Sequence, residues 1–433
     1  MALITLLLSF TLMSAPADTV KTPPPLKHPE VGAHFETKAI CVRFIGRKQH
    51  FDPSLKDTHD PDIISPKSVN IHPSGEKFYV NSLEGGRTVV FDFQTREKLK
   101  VIHHVFKEDQ QTLWAPASGL FPFKKAYKQP NDFSGKPVES AFSHQGRYLW
   151  VPYYRRSYDL NAQEPSAMAV IDTEKDEIVR MFETGPLPKM VAVSPDGTRL
   201  AVTHWGNNTV GLMDISSDNP EDWHYLDRLV VDYELPLNLS YTKKVDRDLD
   251  SGYCLRGTVF TPDNRYLLVG CMGSGGGIAV IDLQNNKYLG RALGMKANLR
   301  HLIIKNGYLY CSINNSGFVQ RMPLDEFLDG CAALDGEKNK TAKLTGWKSC
   351  KVPAGARTLE ASPDGRFLFV ACNFSSSLAV VNTDSMTLEG SMDADSYPVG
   401  LDVSSDGRYI FTTSQARNQG GNAVDIFEVT YKK

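Results

Sequence analysis

Short apolar runs, each closed by a polar turn, recur along most of this chain. The clearest copy is Met190-Val-Ala-Val-Ser-Pro-Asp-Gly197, followed by Leu200-Ala-Val-Thr and then Asn207-Asn-Thr-Val-Gly-Leu-Met-Asp214. Runs of this length, bounded by Gly, Pro, Asn and Asp, read as strands. The turn that ends the first strand of each copy closes at Gly75, Gly146, Gly197, Asn264, Gly307, Gly365 and Gly407, which makes seven copies. Gly or Asn suits the left-handed backbone of such a turn, and Pro presets the corner before it. A strand-only repeat of this length predicts an all-β chain folded as a seven-bladed β-propeller. One further alternating run, Ala39-Ile-Cys-Val-Arg-Phe-Ile45, stands outside the repeats. It is expected to complete the last blade, closing the ring and removing a free sheet edge.

Extra chain beyond a bare blade falls at about 105–136, 153–166, 226–251 and 326–352. Three of these stretches are read as following an outer strand, and one as joining a second strand to a third. In an up-and-down blade both connections emerge where the innermost strand begins, so the insertions are expected on that one face. They carry Trp114, Phe121, Tyr127, Tyr154 and Tyr233 among other aromatics. Long loops on a rigid scaffold are where binding groups collect.

Aligning the seven first strands on their turns exposes a second pattern. Five residues before the Ser/Thr-like turn position stand Lys67, Val138, Lys189, Arg256, Arg300, Arg357 and Val399. Five of the seven are basic, far more than 48 Lys+Arg in 433 residues would place there at random. The position opens each innermost strand, so the five cations are expected to ring the channel mouth on the insertion face. Such a ring needs a countercharge. Glu139, Glu360 and Asp402 lie near the same strand openings and are candidates; a bound carboxylate, phosphate or acidic sugar is the other solution.

Bulk numbers narrow the partners. Net charge is −2 and the pI about 6.6, which argues against an extended nucleic-acid footprint and leaves any anion site to local clustering. Residues 1–17 read as a cleaved secretory signal, with an apolar stretch from Leu3 to Met13 and Ala15-Pro16-Ala17 as the small-x-small cleavage site. Residues 18–34, with Thr22-Pro-Pro-Pro, read as a linker, and 35–433 as the propeller domain. No later run is apolar enough to span a bilayer. The chain is therefore expected to be exported: periplasmic, cell-surface or secreted. The seven cysteines are an odd number, so at least one has no partner within the chain. Cys331 and Cys350 flank one insertion and are the best-placed pair for a disulfide.

The Ser-Pro-Asp-Gly turns, together with Tyr79-Val-Asn-Ser82, Ala201-Val-Thr-His204 and Phe369-Val-Ala-Cys372, make the chain resemble the YVTN family of seven-bladed propellers over about residues 66–430. That family includes YncE-like and surface-layer proteins, and the resemblance implies the fold more than any one activity. Leu299-Arg300-His301-Leu302 and Ile71-His72-Pro73-Ser74-Gly75 also look similar to motifs of YVTN-like propeller lactonases, with Leu299 in place of their Pro. On that reading Arg300 and Arg357 orient a carbonyl, and His301 or Glu360 is the catalytic base. Asp246, Asp248 and Asp250 before Gly252 resemble the first half of a Ca2+ loop, without the bidentate Glu that completes one; a solvated acidic loop is the alternative. The reading adopted is an exported binding protein. It would take an anionic small molecule, glycan or partner at a mouth formed by Lys67, Lys189, Arg256, Arg300 and Arg357. The alternative is a lactonase-like or acidic-carbohydrate-active enzyme using the same mouth.

Overall fold

The computed structural model describes residues 27–121, 133–156, 164–236, 251–273, 275–415 and 422–432. Its strands form seven sheets, antiparallel except for one added outer strand, each built outward from an innermost first strand. The first blade, for example, runs Pro66–Ile71, Lys77–Ser82, Arg87–Asp92 and Lys98–His103 in that spatial order. The protein is a seven-bladed β-propeller.

The core lies between the blades rather than within them. Phe78, Val80 and Phe91 of the first blade pack on Phe411 and Ile426 of the seventh. Trp150 and Val170 of the second pack on Leu200 and Val202 of the third. Because both faces of a central strand are covered, the second and third strands read as continuous apolar runs instead of alternating ones.

The repeated turn has one mechanism. In Ser362-Pro-Asp-Gly365 the Ser362 hydroxyl donates to Asp364 at 2.6 Å, and the Phe367 amide donates back to the Ser362 Oγ at 3.1 Å. Gly365 takes the left-handed conformation at φ 74°. Ser194–Asp196 and Ser404–Asp406 repeat the same hydroxyl-to-carboxylate bond. The motif is a folding device at the far end of each innermost strand from the basic position.

Ring closure occurs as expected. Ile40–Gln49 pairs antiparallel with Ala423–Tyr431, in register from Ile40↔Tyr431 to Gln49↔Ala423, and becomes the fourth strand of the seventh blade, with the short strand His34–Glu36 outside it. Ile40, Val42 and Phe44 are fully buried against the sixth and seventh blades. A polar clasp reinforces the join. Arg47 Nε lies 2.7 Å from Asp395, whose backbone N–H donates to Asp425 at 2.7 Å. Residues 27–34, assigned from sequence to a linker, are tied to the same place: Lys27 pairs with Asp393 at 2.7 Å and His28 with Asp395 at 2.5 Å.

Two sequence expectations change. The stretch 326–352 does not follow an outer strand. Its helix, Leu324–Gly330, leaves the third strand of the fifth blade, and the outer strand Lys348–Lys351 comes afterwards. That places this insertion on the face opposite the basic strand openings, where Leu324 bonds to Gly307 in the first turn. From there Thr341–Lys343 adds in parallel to the outer strand of the fourth blade. Cys331 and Cys350 are both free thiols, because Cys331 packs between the fourth and fifth blades and Cys350 between the fifth and sixth. Among the described residues no helix is long and apolar enough to cross a membrane. Residues 1–17 lie outside the described residues.

Phe44→Ala in the closing strand is expected to cost about 3–5 kcal/mol in denaturant unfolding, the ordinary penalty for emptying a buried aromatic site. A loss below about 1 kcal/mol would mean that this strand is not what holds the ring shut.

Candidate functional site

The basic position is built by local backbone irregularity. In the first strands of six blades the ladder slips at or beside this residue: between Pro66 and Ser68, Pro188 and Met190, Leu255 and Thr258, Leu299 and His301, Ala356 and Leu359, and Pro398 and Gly400. Such bulges re-aim side chains next to sites. Two residues before it the backbone is left-handed at Ser65, Leu187, Cys254, Asn298, Gly355 and Tyr397, with φ between 50° and 90°. These conformations persist only where the surroundings enforce them.

Neighbouring blades supply that enforcement. Asn81 Nδ2 donates to the Val138 carbonyl at 2.6 Å, Ser312 Oγ to Arg357 O at 2.5 Å, and Thr413 Oγ1 to Lys67 O at 3.2 Å. Each donor is the fifth residue of a second strand, and each acceptor is the carbonyl of the ring position in the following blade, Val138 included. Gly257 and Gly400, one residue further on, let the strands approach. A Cβ on Gly257 would lie 2.8 Å from Leu302 N, and one on Gly400 2.8 Å from Lys67 O.

Lys67, Lys189, Arg256, Arg300 and Arg357 converge as the sequence alignment requires: all five line one cavity of about 950 Å³ at the channel mouth, with Val138 beside them. A second ring lines it: Leu83, Trp205, Met272, Asn314, Phe374 and Gln415 come just after second strands, and Tyr154 lies near the end of the long second strand Tyr148–Arg156. Arg155 and Glu84 complete the charged lining, and Glu84 is paired outward with Lys136 at 2.6 Å.

Glu139 is the countercharge within the ring. Its Oε1 accepts from Lys67 Nζ and from Arg256 Nη2, each at 2.8 Å, and so joins the first, second and fourth blades. Burial pushes this carboxyl up, but Lys67, Arg256 and Arg357 outweigh it and hold it well below the ordinary range. Burial and the repulsion of Arg357 hold Lys67 low in turn, with Glu139 opposing them. Lys189 lies over the Tyr154 ring at 3.6 Å and over Trp205 at 4.8 Å, an aromatic box that tolerates a cation. Arg300 lies deep in the disc with part of its surface open to the cavity, and donates to the Met272 sulfur at 2.9 Å. Its Nε has no hydrogen-bond partner among the described residues.

The other acids lie elsewhere. Glu360 and Asp402 sit three residues beyond Arg357 and Val399 on adjacent innermost strands, one tier below the mouth. Neither forms an ion pair with the ring among the described residues. Asp402 accepts from the Ile71 and Val403 amides at 2.6 and 2.8 Å. Burial, with Asp402 nearby, pushes Glu360 up to about 8, and burial pushes Asp402 up to about 7. His301 turns sideways between blades, where its Nδ1 lies 3.1 Å from the Leu359 carbonyl and 3.3 Å from the Leu359 amide, and burial lowers it to about 4. Neither His301 nor Glu360 lines the mouth cavity. His72 belongs to a turn at the far end of its strand, against Ser74 and Gly146. Asp246, Asp248 and Asp250 lie outside the described residues.

Comparison with known proteins bears out the architecture. No family model matches the chain. It is similar to hydrazine synthase subunit beta of Kuenenia stuttgartiensis, at 26% identity over 50% of this chain and 59% of that protein. The match thus spans less than two thirds of the relative's length. Among solved structures it resembles Kuenenia stuttgartiensis hydrazine synthase, with a TM-score of 0.58 at 13% identity, covering 85% of this chain and 96% of the other. It also resembles the β-propeller domain of Cps50 (Swd1) from Myceliophteria thermophila, with a TM-score of 0.56 at 12% identity, covering 85% and 97%. At such identities the structural likeness establishes the shared propeller.

Glu360 supplies a test of the lower tier. The folded chain keeps a proton that the unfolded chain releases near pH 4, so its burden on stability grows as pH rises from there to about 8. Glu360→Gln is therefore expected to be more stable than the parent at pH 8, with the advantage shrinking toward pH 4. An equal difference at both pH values in denaturant titrations would contradict the assignment.

Proposed function

We propose that this protein is an exported binding protein that holds an anionic ligand in the basic mouth of its propeller channel. The observation that carries the reading is the convergence of basic side chains on one cavity. Five cations from the first, third, fourth, fifth and sixth blades face it, and the carboxylate among them, Glu139, is shared between Lys67 and Arg256. At separations near 10 Å and an effective dielectric near 20, each neighbouring pair repels by about 1–2 kcal/mol. A bound carboxylate, phosphate or acidic sugar relieves that repulsion and gains charge-assisted hydrogen bonds from Arg300 and Arg357.

Export rests on the apolar stretch Leu3–Met13 and its small-residue cleavage site. The YVTN-like character rests on the turn and second-strand motifs. The partial likeness to a hydrazine synthase subunit supports a place in an assembly, where the anion is a small molecule or a partner's acidic group. Binding is preferred to lactone or uronate hydrolysis because His301 and Glu360, the candidate bases, are turned away from the mouth.

Thermal unfolding in citrate, sulfate or phosphate tests the reading. At least one of these anions is expected to raise the midpoint beyond sodium chloride at matched ionic strength, and the Arg300→Gln/Arg357→Gln double variant to lose the increment. At an anion concentration 100 times Kd the linkage amounts to about 2.7 kcal/mol. If none of the three raises the midpoint, the anion site is refuted.

A further inference from the structure

The mouth cavity has two chemically different sides. On the fifth and sixth blades Arg300 and Arg357 stand on adjacent innermost strands. Arg300 donates to the Met272 thioether, a weak acceptor, and its Nε is unpartnered among the described residues. Just after the second strand of the sixth blade comes Phe374, which lines the cavity while 41% exposed. Tyr397, where the chain enters the seventh blade, lines the same wall, with its ring centroid 6.2 Å from that of Phe374. Trp205, toward the third blade, is by contrast 3% exposed, and it and Tyr154 already carry the Lys189 ammonium on their faces. Open aromatic surface therefore coincides with the arginine pair. A volume of about 950 Å³ is at the upper end of pockets that enclose drug-sized ligands, far beyond what a bare oxyanion fills.

Resting on the anion-binding reading, we infer that the ligand is an organic anion with a flat apolar ring: its carboxylate or phosphate lies on Arg300 and Arg357, and its ring lies against Phe374 and Tyr397. The arginine forks fix the acidic group in plane, and the exposed Phe374 face gains from covering an apolar ring that it loses to water otherwise.

Isothermal titration of the full chain with two matched pairs tests this: trimesate against tricarballylate, its open-chain counterpart, and phenyl phosphate against inorganic phosphate. The ring-bearing member is expected to bind up to about tenfold more tightly within at least one pair, the scale of one aromatic contact. The pair that shows it identifies the acid as carboxylate or phosphate. In Phe374→Ala the ratio is expected to fall to near one. Because Phe374 is surface-exposed, an unchanged unfolding midpoint confirms that this variant remains folded. Arg300→Gln is expected to weaken every anion by about tenfold or more. Equal affinities within both pairs, with Arg300→Gln still weakening them, overturn the ring inference and leave the anion site standing. A ring preference that survives Phe374→Ala overturns the placement. Failure of all four probes to bind removes the anion site, and this inference with it.

Discussion

The pairing of the N-terminal strand with the last one governs the molecule. Until Ile40–Gln49 lies along Ala423–Tyr431, the seventh blade has an open edge and the sixth lacks the packing of Ile40, Val42 and Phe44. Once it is in place, the first and seventh blades share a core through Phe78, Phe91 and Phe411, and every innermost strand is confined by two neighbours. The channel exists only in the closed ring. The contacts between Lys67, Glu139 and Arg256, which come from three blades, likewise exist only there.

The mouth is costly for the fold. Left-handed residues precede the ring position in six blades, the ladder slips there, and like charges face one another. The molecule compensates with hydrogen bonds that cross from one blade to the next at the same level, from Asn81, Ser312 and Thr413 to ring-position carbonyls. Neutral donors aimed at the backbone carbonyls of Lys67 and Arg357 hold these two residues in place without neutralising them. Second-strand residues thus also set the geometry of the mouth.

The repeat count, the closing strand and the convergence of the five cations were legible because all three depend on strand periodicity and on tight turns with strict chemistry. The fifth-blade insertion was not. Its outer strand, Lys-Ser-Cys-Lys, is largely exposed and carries no apolar alternation, so nothing marks it as the fourth strand that follows the helix. The countercharges were legible only as a set. Glu139 follows its ring position by one residue and reaches the mouth, whereas Glu360 and Asp402 follow theirs by three and fall into the next tier. Trp205 directly follows a second strand, and that register places it in the cavity wall.

The segment Thr341–Lys343 leaves the fifth blade and lies along the outer edge of the fourth. Most seams of the disc are closed by side-chain packing and short cross-blade bonds; this one also has a backbone ladder spanning its outer rim. The fourth and fifth blades are therefore joined at the rim by backbone hydrogen bonds as well as by side chains, so parting them there must break a ladder that side-chain packing alone would not supply.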